Sequence, residues 1–156
     1  MCSFGFCVET SNSLQLPFEL GDPPTASIDF SEATKLKEVV FRLTTDRLPV
    51  TWIITALQTI TSKHRDLRQI SIHVRHASFP IADPANVRKI VGEVSYIQWM
   101  DLDRLLVQFW ESRTVRPRIV YYAAEGQKEA MWECIGSLLP QITERGIIEL
   151  VDLVEL

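Results

Sequence analysis

Cysteine is scarce in this sequence, and its three positions fit neither a disulfide framework nor a metal site. Cys2, Cys7 and Cys134 form an odd set in which no pair has the spacing of zinc ligands. Free thiols of this kind are typical of a reducing compartment. We therefore expect a cytoplasmic protein whose cysteines form no structural cross-link.

Glycine-rich phosphate-binding loops and a nucleophile elbow are absent as well. The histidines, which are His64, His73 and His76, lack a cysteine or carboxylate at the spacing of a zinc site. We expect no cofactor, no metal ion and no catalytic residue. The sequence therefore predicts a protein that is not an enzyme.

Long hydrophobic runs are also missing, since no segment approaches the roughly 18–20 apolar residues of a membrane helix. Residues 1–9 carry no basic side chain ahead of their short apolar patch, which does not resemble a signal peptide. The 16 basic and 20 acidic residues give a net charge of −4. A mildly acidic chain is not attracted to nucleic acid or to an anionic membrane, so we expect a protein partner, whose identity the sequence does not indicate.

The chain does contain enough apolar material for one domain, because 46% of its 156 residues are hydrophobic. Residues 1–24 show no periodicity and end in a strong loop signal, Gly21-Asp22-Pro23-Pro24. Leu16–Leu20 resembles the opening of an F-box, but the helices that follow in that motif are missing. We expect residues 1–24 to be a flexible N-terminal tail and residues 25–156 to be a single α/β repeat-like domain.

The clearest pattern is a repeated hexamer. Leu36–Phe41 and Leu67–Ile72 both read L-x-x-[VI]-x-[FI], and they begin 31 residues apart. Between them, apolar residues recur at steps of three and four from position 50 to position 60, which predicts an amphipathic helix. A strand, a helix and a like strand at this spacing predict a unit of the leucine-rich-repeat kind.

The remaining elements follow from the same periodicities. They are a strand at Thr25–Phe30, a helix from Asp83 to about Val94, a helix from about Leu102 to Arg113, a strand at Ile119–Tyr122, a helix at Met131–Leu139 interrupted by Pro140 and capped by Gly146, and a strand at Ile147–Leu156.

The strands at 36–43 and 67–74 alternate apolar and polar residues, whereas strands covered on both faces are apolar throughout. The predicted fold is therefore of the α/β class: a short leucine-rich-repeat-like βα solenoid, with helices mainly on one face of a largely parallel sheet of about four to five strands.

Several strings that resemble sites have simpler interpretations. His64-Arg65-Asp66-Leu67 matches the start of a kinase catalytic loop, but the other kinase motifs are missing, so we interpret it as a corner between a helix and a strand. Cys134 lies on the apolar stripe of its helix and is interpreted as a core residue. Trp99, Phe109 and Trp110 are also interpreted as core residues. Asp101 and Asp103 are interpreted as the solvated start of a helix.

The best candidates for a binding site are outward residues of the strands. If helices cover one face of the sheet, the other face exposes its polar side chains, and Arg and Tyr are common anchors of protein interfaces. A merely solvated sheet face explains the same residues equally well. The candidate protein-binding residues are Arg42, Arg68, Ser71, His73, Arg75, Arg118 and Tyr121.

Three strings also carry a family resemblance: ATKLKEVVFR at 33–42, HRDLRQISI at 64–72 and DLDRLLVQFWES at 101–112. They resemble the C-terminal region of uncharacterised proteins of mushroom-forming fungi that are grouped with F-box/leucine-rich-repeat-like proteins. The resemblance covers roughly residues 25–156, implies a leucine-rich-like α/β fold with an interaction role, and supplies no catalytic residues. Since the F-box is missing here, it does not imply a ubiquitin-ligase adaptor, and the chain is expected to be a fragment or a shortened copy of a longer solenoid.

Two alternatives remain open. The first is a small enzyme on a doubly wound sheet, with a site at the carboxyl ends of the strands near His73, His76 and Glu125. It predicts helices on both faces of the sheet. The second is a truncated fragment with no activity of its own, which predicts a thermal melt without a cooperative transition.

Overall fold

The structure, a computed structural model, describes residues 7–8, 13–16, 28–43, 50–75, 92–122, 128–147 and 149–152. Its strands are β1 (Cys7–Val8), β2 (Ser13–Leu16), β3 (Glu38–Leu43), β4 (Gln69–Arg75), β5 (Arg116–Tyr122) and β6 (Glu149–Asp152). The helices in these residues are α1 (Thr51–Gln58), α2 (Glu93–Arg113), α3 (Lys128–Leu138) and α4 (Pro140–Glu144). The mixed α/β class is confirmed.

The six strands form one sheet in chain order, from β1 to β6. β1 and β2 are antiparallel, and every later pair of neighbours is parallel. The crossovers from β3 to β4, from β4 to β5 and from β5 to β6 contain α1, α2, and α3 with α4. Such crossovers are almost always right-handed, so a parallel sheet that grows in one direction carries them on one face.

The hydrophobic core lies between that face and the helices. Phe41, Ile72 and Ile119 are neighbours in the register of β3, β4 and β5, and none is more than 1% exposed. Burying side chains of this size contributes about 1.5–3 kcal/mol each, which makes the cluster the main source of stability. Every described helix adds residues to the same cluster, among them Ile53, Leu102, Leu138 and Ile142.

The chain reversal after α4 shows why the predicted helix is interrupted and then capped. Pro140 is the first residue of α4, where its missing N–H has no intrahelical partner to lose. Gly146 has a φ of 65°, its N–H donates to the carbonyl of Thr143, and the Ile147 N–H donates to the carbonyl of Ile142. This pair of hydrogen bonds is the Schellman arrangement, and it confirms Gly146 as the predicted cap.

The two hexamers and the helix between them lie where the sequence predicts, as β3, α1 and β4. Val50, Ile53, Leu57 and Ile60 form the expected buried stripe of α1 and its ends. The strands predicted around Ile119 and Ile147 are also present, as β5 and β6. Local periodicity is sufficient for these elements because each buries one regular face.

Other predicted elements differ. Residues 7–8 and 13–16, expected in a flexible tail, form β1 and β2, so the sheet has six strands instead of four to five. Residues 28–30 are not in a strand, although Ile28 and Phe30 are buried in the core. Most of the helix predicted from position 83 lies outside the described residues, and Val94 belongs to α2. β2 depends on pairing with β3, and β1 depends on pairing with β2; short-range periodicity does not indicate either contact.

Candidate functional site

The candidate site is the face of the sheet opposite the helices, which we call the strand face. We define it by its described residues in β3, β4 and β5: Glu38, Val40, Gln69, Ser71, His73, Arg116, Arg118 and Val120. The register places these residues in rows, because parallel partners project to the same side of a sheet. The rows are Glu38, Gln69 and Arg116; Val40, Ser71 and Arg118; and His73 with Val120.

The middle row is less exposed than the sequence predicts. Ser71 is fully buried, and its hydroxyl donates to Oε1 of Glu38 at 2.8 Å. The expectation that Ser71 is exposed is therefore wrong. Val40 in the same row and Val120 in the next row are buried as well, so the centre of the strand face is covered.

The Gln69 side chain on this face has an unsatisfied donor. Its Nε2 atom is buried, and the described part of the chain provides no hydrogen-bond acceptor for it. The residue as a whole is half-buried and lies between Glu38 and Arg116 in the register. Buried amide groups without a partner are uncommon in folded proteins.

The strand face carries charged residues of both signs. Arg116 is exposed, Arg118 and Glu38 are half-buried, and Glu149 of β6 is the register partner of Arg118. Arg42 pairs with His73 in the register, while the side chains of the predicted site residues Arg42, Arg75 and Tyr121 lie outside the described part. The strand ladder therefore places arginines and glutamates on one face, with the arginines on β5.

Arg68 was predicted for the same surface, but it lies one residue before β4. Its backbone extends the hydrogen-bond ladder at the start of β4, because its N–H donates to the Lys37 carbonyl and its carbonyl accepts from the Arg116 N–H. Its guanidinium turns back and donates to the carbonyls of Arg65 and Leu67 at 2.9 and 3.3 Å. Arg68 is therefore assigned to the corner before the strand and not to the strand face.

The corner at residues 61–67 confirms the structural interpretation of the His-Arg-Asp-Leu string. His64 is fully buried, its Nε2 lies 2.7 Å from the Phe30 carbonyl, and its Nδ1 accepts from the Thr61 N–H at 3.0 Å. A carbonyl only accepts, so Nε2 donates the hydrogen bond to Phe30, while Nδ1 lies 3.2 Å from the Thr61 carbonyl as well. Arg113 donates to the His64 carbonyl and ties the end of α2 to the corner.

The observed role of Asp103 differs most from the role that the sequence predicts. It is fully buried within α2, and its carboxylate accepts from the N–H groups of Gln141 and Ile142 at 2.8 and 3.1 Å. Burial raises its pKa above 3.8, while the two N–H groups and the charges of Arg104 and Arg145 act in the opposite direction. The interpretation as a solvated helix start was wrong, because Asp103 caps the distant helix α4.

The remaining candidates lie in the core or outside the described residues. Cys134 is fully buried as a free thiol, and Trp99 and Phe109 are buried as predicted. His73 of the alternative enzyme site is half-buried, while His76 and Glu125 lie outside the described part of the chain. In the segments that the structure describes, no three His, Cys, Asp or Glu residues cluster closely enough to hold a metal ion.

Comparison with protein families, with curated proteins and with solved structures found no match to this chain. The resemblance to F-box/leucine-rich-repeat-like proteins therefore remains a prediction. None of the helices in the described residues is both long and apolar enough to cross a membrane.

Proposed function

We propose that this chain is a non-enzymatic protein-binding module of the leucine-rich-repeat-like kind that binds through its strand face. The observation that carries the proposal is the packing of every described helix against the opposite face of the sheet. The sequential order of parallel strands and the 31-residue repeat also favour a solenoid, in which a sheet face is the usual binding surface.

The partner that we propose is an acidic segment of another protein. The exposed guanidinium group of Arg116 suits a carboxylate, which it binds through paired hydrogen bonds. Opposite charge would also accelerate the encounter of the two proteins. A reducing, cytoplasmic location belongs to the same proposal and is supported by the free thiol of Cys134.

Charge reversal on the strand face tests the proposal. Proteins captured from the native cells would be purified, and their affinity measured by titration calorimetry for wild type and for Arg116→Glu/Arg118→Glu. The matched control is Arg104→Glu/Arg145→Glu, which reverses two exposed arginines of the helix layer. We expect the strand-face variant to bind about tenfold more weakly or worse, because it loses charge-assisted hydrogen bonds, and the control to bind as wild type does.

Arg116→Glu alone covers the case in which the double variant fails to fold, because Arg116 is exposed. Unchanged affinity of a correctly folded strand-face variant would contradict the proposal. A partner whose contacting segment carries no carboxylate would contradict the proposed chemistry.

A further inference from the structure

A second surface lies away from the strand face. A groove of about 710 Å³ runs between the corner after α1 and the second half of α2. Its volume is within the roughly 300–1,000 Å³ of small-molecule sites. Its other lining residues are polar and include Arg65 and Arg113. The apolar floor is formed by Leu57, Ile60, Leu67, Leu105 and Phe109.

Among the described residues that line the groove, the charged ones are Arg65 and Arg113, and none is a carboxylate. Arg113 donates to the carbonyl of His64, the residue before Arg65, so both arginines lie at the same end. The Arg68 guanidinium lies at the same corner, where it donates a hydrogen bond to the Arg65 carbonyl. Backbone carbonyls only partly offset a positive charge, so this end of the groove stays cationic.

Arg65 and Arg113 differ from other arginines of the helix layer in their ion pairing. Arg104 pairs with Asp101, and Arg145 pairs with Glu111. Within the described part of the chain, neither Arg65 nor Arg113 forms an ion pair with a carboxylate. The groove therefore combines an apolar floor with two guanidinium groups whose charge is not neutralised.

We propose that this groove binds a small amphiphilic anion, a carboxylate or phosphate head group carried on an apolar chain. The head group would bind Arg65 and Arg113, because guanidinium groups match both oxyanions in geometry and charge. The chain would cover the apolar floor. From Leu105 to Arg113 the helix rises about 12 Å, which suits an alkyl chain of medium length. The inference is independent of the proposed function of the strand face.

Titration calorimetry with four ligands of equal chain length tests the chemistry. Decanoate and decyl phosphate are the anionic probes, and decanol and decyltrimethylammonium are the neutral and cationic controls. We expect at least one anion to bind about tenfold more tightly than either control, and the two anions together distinguish carboxylate from phosphate preference. Equal binding of all four would overturn the proposal, because it would reveal a merely apolar surface.

Two variants locate the binding site. Ser112→Trp fills the groove from an exposed lining position, and Ser137→Trp is its matched control. Both serines are exposed on helices and donate to the carbonyl four residues earlier, but only Ser112 lines the groove. We expect Ser112→Trp to weaken binding of the preferred anion about tenfold and Ser137→Trp to leave it unchanged.

Arg65→Glu, with Arg104→Glu as its control, keeps the test decisive if Ser112→Trp does not fold. Arg65 is exposed, so its reversal removes the attraction for the head group without removing core contacts. Arg113 is not substituted because it holds the corner through the His64 carbonyl. Wild-type affinity in a folded Arg65→Glu or Ser112→Trp variant would overturn the proposal.

Discussion

The two faces of the sheet are both largely covered, but for different reasons. On the helix side, Ile72 is buried by apolar side chains from the helices and the neighbouring strands. On the strand face, the adjacent residue Ser71 is equally buried, yet it is held by a hydrogen bond to Glu38. Burial alone therefore does not distinguish the helix side of the sheet from the strand face. The chemistry of the neighbouring side chains does.

Truncation of two adjacent residues of β4 tests this difference between the two faces most directly. Ile72→Ala should lower the free energy of unfolding by about 2–5 kcal/mol, because it removes apolar contacts and leaves a cavity. Ser71→Ala should lower it by only about 1 kcal/mol, the net contribution of one hydrogen bond. Urea unfolding followed by tryptophan fluorescence measures both. If Ser71→Ala were the more damaging change, the assignment of the two faces would be wrong.

Asp103 is a fully buried carboxyl group on the helix side, and its removal should have the next largest effect. Asp103→Ala leaves the N–H groups of Gln141 and Ile142 without their acceptor, which should cost about 2–4 kcal/mol in the same unfolding measurement. Asp101→Ala on the same helix is the control. It breaks only the exposed pair with Arg104 and should change stability by less than about 1 kcal/mol. Equal effects would show that Asp103 does not hold α4.

The pH dependence of stability follows from the same residue. Burial raises the pKa of Asp103 above 3.8, so the folded state holds this proton more tightly than the unfolded state does. Its stabilising contribution is complete below pH 3.8 and is lost as the pH rises through the raised value. Relative to the non-titrating Asp103→Asn variant, wild type should therefore lose stability as the pH rises above 3.8. A difference that grows with pH would contradict this assignment.

The smallest expected effect lies at the joint between α2 and β5, where the chain passes from the helix layer to the sheet. Thr114 has a φ of 56°, a conformation that is costly for a β-branched residue. Thr114→Gly should raise the midpoint of thermal unfolding and add about 0.5–1 kcal/mol of stability. Thr55→Gly, at an exposed position inside α1, should do the reverse. Destabilisation by both substitutions would show that the Thr114 side chain outweighs the strain.

The residues of the candidate site could be predicted only in part. The alternation along β3 and β4 indicates which positions face away from the helices, and it correctly places His73 and Arg118 on the strand face. It does not reveal that Ser71 is covered, since that depends on Glu38, which is 33 residues away. Arg68 was misplaced because the exact first residue of a strand is set by its hydrogen bonds with neighbouring strands.

Local sequence patterns are sufficient to predict the elements with regular periodicity: β3, α1, β4, β5 and the capped end of α4. Each of these depends on residues within one or two turns, or on alternate positions of one strand. The tertiary structure alone decided that β1 and β2 join the sheet, that Asp103 caps a helix 38 residues away, and that Arg65 and Arg113 meet at one groove. These features depend on contacts between distant segments, for which spacing along the chain carries no signal.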